Sequence, residues 1–323
     1  MTTGPHPVRR RAGGTQRAWA AVLALVCAGG VITLWYALIY TRTGQLMEDA
    51  ALTGSRIGER FVDAHARTLL STVSMPAAVA LVLLVLVVGI WRGSRRRAVW
   101  AAGTVIAINA STQVLKRWVL VRPDYDLSPR WDGANTLPSG HTAVAASAAV
   151  ALLLLVGVSH RVVAAWAGAV LTAAMGYSTL VCQWHRPADV ISAVLLATAW
   201  GAVAVAGGVW HKGGPGGQVP EGDDEGTPAV ARPAGLTFLG GLGACAGAVG
   251  LVLEAVTWWS VASGSGVLGR TGTFVAYAAG SAGTVGTSFV CLALLAGLAP
   301  AREHPRVRCL RVEFEVSGTE LDA

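Results

Sequence analysis

Long apolar runs broken by short polar stretches set the pattern of this 323-residue chain. Stretches of about 18 or more apolar residues are long enough to cross a bilayer core of about 30 Å as helices. They fall at 18–40, 72–91, 98–115, 142–158, 162–184, 187–210, 236–259 and 273–299. The pattern predicts an all-α polytopic membrane protein. The first run follows Arg9, Arg10, Arg11 and Arg17, and it is longer than the apolar core of a cleaved signal peptide. It reads as a retained signal-anchor.

The polar stretches divide the chain. Residues 1–17 form a basic tail, and RGSRRR at 92–97 makes a tight turn. Residues 41–71 read as a longer polar loop, with room for one short amphipathic helix on the membrane surface. His65 there reads as solvated. Residues 211–235, rich in Gly, Pro and acid, read as a linker. The linker separates a six-span core at 18–210 from a two-span unit at 236–299, followed by a tail at 300–323. Glu254 lies near the outer end of the seventh run and is expected to snorkel to the interface.

Composition sharpens the class. Charged residues make up 13% of the chain, about half the usual share of a soluble domain. Of the five cysteines, Cys27, Cys182, Cys245 and Cys291 lie in apolar runs, where cysteine packs as a small hydrophobe. The fifth is Cys309, and no spacing suggests a metal site. The net charge of +7 sits between the spans, which argues against a nucleic-acid partner. With the N-terminus inside, 15 of the 25 Lys and Arg residues fall on the cytoplasmic side. Five of the other ten, Lys116, Arg117, Arg122, Arg130 and Arg186, crowd into two outer segments and break that rule. An anionic ligand would explain them.

Three outer stretches carry the candidate chemistry. At 138–141, Pro-Ser-Gly-His opens a helix, whose unpaired first-turn N–H groups attract anions. Ser139 can cap that helix or bond the anion. Gly140 lets the backbone approach closely, and His141 can exchange a proton beside it. At 185–189, His-Arg-Pro-Ala-Asp puts Pro187 at the first helical position and Asp189 one turn from His185. A carboxylate on one imidazole nitrogen leaves the other free as a nucleophile. At 116–123, Lys-Arg-Trp-Val-Leu-Val-Arg-Pro supplies fixed positive charge suited to phosphate oxygens. The remaining histidines, His6, His160, His211 and His304, lie in tails or cytoplasmic turns and carry no assigned role.

A basic run ending in Arg-Pro, then PSGH, then HxPxDV resembles the type 2 phosphatidic acid phosphatase superfamily, which includes lipid phosphate phosphatases and haloperoxidases. The likeness is strong over about 110–200 and looser over the six-span core. It implies a six-helix phosphatase-like bundle, here with two additional C-terminal transmembrane helices. His185 would be the nucleophile that forms a phosphohistidine, oriented by Asp189. His141 would protonate the leaving group and then activate water. Lys116, Arg122, Ser139 and Gly140 would bind phosphate oxygens, and no metal or other cofactor would be needed. The substrate class is a phosphorylated lipid, met at the outer face of a plasma membrane with both termini cytoplasmic. Transfer to an alcohol acceptor, or a catalytically inactive lipid-phosphate binder, are the alternatives.

Two departures stand out. Five residues, not the family's six, separate Lys116 from Arg122-Pro123, so Arg117 competes with Lys116 for the role. The family's third motif has Arg six residues before the nucleophile, where this chain has Thr179. Arg186 and Arg130 are the candidates to replace it.

Overall fold

A computed structural model describes residues 9–71, 75–91, 94–127, 135–210, 231–264 and 268–298. Arg130, the residues 211–230 of the linker, the tail at 300–323 and Cys309 lie outside these residues, as do His6, His211 and His304. Every regular element among the described residues is helical. The helices are α1 (Arg9–Leu34), α2 (Arg42–Gly54), α3 (Arg56–Ser71), α4 (Met75–Trp91), α5 (Arg95–Val114), α6 (Gly140–Leu155), α7 (Arg161–Val181), α8 (Pro187–Ala206), α9 (Ala231–Ser263) and α10 (Arg270–Gly297). Wide π-type turns extend α1 over Trp35–Tyr40 and α5 over Leu115–Val119.

Among the described residues, six helical segments are long and apolar enough to cross a membrane: Gly14–Tyr40, Arg95–Val119, Val158–Val181, Pro187–Ala206, Ala234–Ser263 and Arg270–Gly297. Two of the expected spans are shorter, at Val79–Trp91 and Gly140–Leu155. The 16 residues of α6 span about 24 Å. They sit in the middle of the bundle, with Ala143, Ala146, Val150 and Leu153 fully covered by neighbouring helices. A helix so enclosed does not need a full bilayer length of its own.

Small residues make the close packing possible. Alanines of α5, α6, α7 and α8, such as Ala101, Ala146, Ala165, Ala193 and Ala197, are buried together. Without bulky side chains the backbones approach, and dispersion contacts hold the helices in lipid. The last two helices join this bundle: α10 packs on α2, α7, α8 and α9. Gly280 of α10 lies so close to Pro187 at the start of α8 that any Cβ there would collide with the proline ring. Cys27, Cys182 and Cys291 are buried and unbridged, while Cys245 is exposed.

The stretch expected to be a surface loop differs most. Residues 42–71 form two helices, and α2 is packed into the bundle against α8, α9 and α10. Thr41 caps α2, its hydroxyl accepting the Gly44 N–H at 3.0 Å. Gln45, Met47 and Glu48 of α2 are 2% exposed, so this face of the helix is buried against protein. His65, on α3, is exposed as expected.

Candidate active site

Pro187 opens α8, as its missing N–H favours. Asp189, one turn in, is fully buried. Its Oδ2 accepts the backbone N–H of Arg186 at 3.1 Å and meets His185 Nδ1 at 3.1 Å. The carboxylate therefore caps the helix and fixes the imidazole. Among the described residues His185 Nε2 has no partner. The His185 backbone is itself held, its N–H donating to Thr179 O at 3.2 Å.

The PSGH turn docks on this helix mouth. The backbone N–H of Ser139 donates to Asp189 O at 2.8 Å. Ser139 is fully buried, and its Oγ accepts from the Thr142 hydroxyl at 3.1 Å and the Thr142 N–H at 3.4 Å. Of its two expected roles, this hydroxyl fills the helix cap. Gly140 faces open space: the nearest atom to a Cβ placed there is Gln113 Nε2, at 3.9 Å. The backbone at the start of α6 is thus accessible to an anion. The half-buried His141 ring lies 6.4 Å from that of His185 and 5.3 Å from the Trp184 indole, centroid to centroid. Asn135 holds the turn to the first basic stretch, its Nδ2 donating to Leu137 O at 2.9 Å and Lys116 O at 3.4 Å.

The basic residues separate into two groups. Lys116, half buried in the widened turn that ends α5, is within electrostatic reach of His141 and Asp189. Its neighbour Arg117 is exposed. Arg186 is buried and Arg122 half-buried beside it, where α2 meets them. Asp49 Oδ1 accepts from Arg186 Nε at 2.9 Å and Nη2 at 2.7 Å, and lies 3.8 Å from Arg122 Nη2. Gln45 Oε1 accepts from Arg122 Nη2 at 3.3 Å, while Gln45 Nε2 donates to Pro123 O at 2.8 Å and Ile39 O at 2.8 Å. Glu48 Oε2 accepts the Ala188 N–H at 3.1 Å. Burial, then the nearby Arg186, push the Arg122 guanidinium below its ordinary range, against the pull of Asp49, Asp189 and Glu48. Burial, Glu254 and Asp189 push the Glu48 carboxyl well above its ordinary range. Glu254 is thus an electrostatic neighbour of α2, with its side chain half-buried.

Thr179 is fully buried, and its hydroxyl donates to Gly176 O within α7 at 2.7 Å. The side chain has no route to a ligand. Sequence reasoning also missed Gln113, Trp184 and the acidic face of α2. Gln113 was visible as a polar residue inside an apolar run, three before Lys116, and Trp184 as the neighbour of His185.

Residues 97–211 match the model of the PAP2 superfamily. The resemblance read from the three motifs is thereby shown over this segment, which holds α5 to α8 and every expected site residue. Curated proteins and solved structures give no match.

Proposed function

We propose that this membrane protein of the PAP2 type is a phosphatase that hydrolyses a phosphorylated lipid through a phosphohistidine. The observation that carries the reading is the buried His185–Asp189 pair, with His185 Nε2 free and His141 across from it.

His185 Nε2 attacks phosphorus while Asp189 holds Nδ1–H and balances the imidazolium that develops. The P–O bond to the lipid breaks, and His141 gives its proton to the leaving oxygen. Water then loses a proton to His141 and attacks the phosphohistidine. The P–N bond breaks, inorganic phosphate leaves, and both histidines return to their starting states. Lys116, Arg122 and Arg186 balance charge on the phosphoryl oxygens, with the first N–H groups of α6 at Gly140. Membrane embedding favours a lipid ester or diphosphate, because the site sits at the ends of apolar helices. With the N-terminus inside, 15 of the 25 Lys and Arg residues fall on the cytoplasmic side, which supports a site open to the outer face of a plasma membrane.

Thr179 is the observation that favours an inactive binder. A metal-free assay decides between the readings. Intact cells expressing the protein, given membrane-impermeant short-chain lipid phosphates with EDTA, should release phosphate, and His185→Ala should lower release by at least about a thousandfold. Equal release by the variant overturns the nucleophile assignment. Activity appearing only after the cells are opened overturns the outward orientation. Product appearing on an added alcohol, not as free phosphate, would mark a transferase.

A further inference from the structure

We propose that Asp49 is the positioning residue of the phosphate site: it holds the Arg186 guanidinium beside that of Arg122, and Arg186 so supplies the positive charge that Thr179 lacks. This rests on the phosphatase reading above.

Three polar residues of α2, Gln45, Glu48 and Asp49, share one face of the helix at i, i+3 and i+4. Each grips a different part of the site. Gln45 binds the Arg122-Pro123 segment, Glu48 binds the first turn of α8, and Asp49 binds Arg186. None of the three lies in the matched segment 97–211. The helix therefore braces the matched segment from outside it, at Arg122-Pro123 and at the first turn of α8.

The geometry fits positioning. Asp49 uses a single oxygen for both Nε and Nη2 of Arg186, which fixes the plane of the guanidinium. Among the described residues Arg186 Nη1 has no acceptor, which leaves it available to a phosphoryl oxygen. Arg186 is 5% exposed, and a guanidinium so enclosed needs a carboxylate partner while the site is empty. The same carboxylate draws Arg122 alongside, so two like charges stand together.

A competing role is a plug, with Asp49 occupying the place of the phosphate until substrate displaces it. Displacement would cost Asp49 both hydrogen bonds from Arg186, while its Oδ2 is already buried without a partner among the described residues. That double loss favours a carboxylate that stays in place.

The test uses the full-length protein in detergent micelles, with orthovanadate as the phosphate probe and a lipid phosphate that the wild type hydrolyses. Asp49→Asn should lower kcat/KM about tenfold to a hundredfold and weaken vanadate binding, because a misplaced guanidinium no longer meets the transition state. In an Arg186→Gln background the same change should add almost nothing, since Asp49 acts through Arg186. Additive losses, or an unchanged Asp49→Asn, would overturn the proposal. Higher activity with tighter vanadate binding would establish the plug instead. Should Asp49→Asn not fold, Arg186→Lys takes its place: it keeps a charge but not the two-donor grip, and wild-type values there count against positioning. His185→Ala runs alongside. Its retention of activity would defeat the phosphatase reading, whereas vanadate binding still reports on Asp49.

Discussion

Position 179 shows why the missing guanidinium has to come from elsewhere. Thr179 is sealed inside α7 with its hydroxyl on Gly176 O, and its own carbonyl carries the N–H groups of Trp184 and His185. An arginine there would displace packed helices, whereas on the proposed reading Arg186 would supply the charge from the entry turn of α8. The carboxylates that receive it have a cost of their own, most visible at Glu48. Burial, then Glu254 and Asp189, raise its carboxyl above the ordinary 4.5, and the Ala188 N–H and Arg186 only partly oppose them. A group whose folded pKa lies above its unfolded one adds stability below the unfolded value, and that contribution is lost as pH rises through the folded value. Wild-type thermal stability should therefore fall relative to Glu48→Gln as pH is raised from about 4.5, the glutamine keeping an acceptor for Ala188. Melting temperatures of the two proteins across that range test this, and parallel curves would refute it.

At the scale of elements, what the sequence made legible and what it hid have separate causes. His185, Asp189, His141 and Arg122 stand at fixed offsets from prolines and glycine that break the chain at helix mouths, so local chemistry marks them. The widened turn at Leu115–Val119 accompanies the one-residue shortfall in the first motif, and it presents Lys116 to the site while Arg117 stays exposed. The role of α2 was illegible because its partners are remote. Asp49 meets a residue 137 positions away, and Glu48 one 140 away. A polar face at i, i+3 and i+4 reads the same whether it meets water, headgroups or arginines. The apolar pattern likewise located α10 as a span without revealing that Gly280 is fitted to Pro187. Replacing Gly280 by Val should push α10 off the start of α8 and cost about 1–3 kcal/mol, the range for overpacking a tight contact. Both the melting temperature and the hydrolysis rate should fall. Gly297→Val, at a position with no atom within 4 Å of an added Cβ, should change neither. Equal behaviour of the two variants would contradict the fit.

For the whole molecule, the last two helices pack against elements of the candidate site, although the matched segment ends before them. The linker at 211–235 predicts a boundary that sets a two-span unit apart from a six-span core. In the structure α10 lies against α2, α7 and α8, and Tyr277 of α10 shares a hydrogen bond of 2.6 Å with Tyr177 of α7. Gly54, at the end of α2, is in such close contact with Thr273 O that a Cβ would collide with it. The acidic brace is thus held on one side by the basic core and on the other by α10. A chain ending at residue 230 would retain the full matched segment and all three motifs, yet expose the face of α2 that α10 covers. Its kcat/KM should drop at least about tenfold, a loss expected when catalytic groups are misplaced by about 1 Å. Vanadate binding should weaken with it. Supplying residues 231–323 as a separate chain in the same membrane should restore both, because helix association in lipid rests on packing and not on chain continuity. A truncated protein with wild-type kcat/KM would show that the core positions Arg186 unaided.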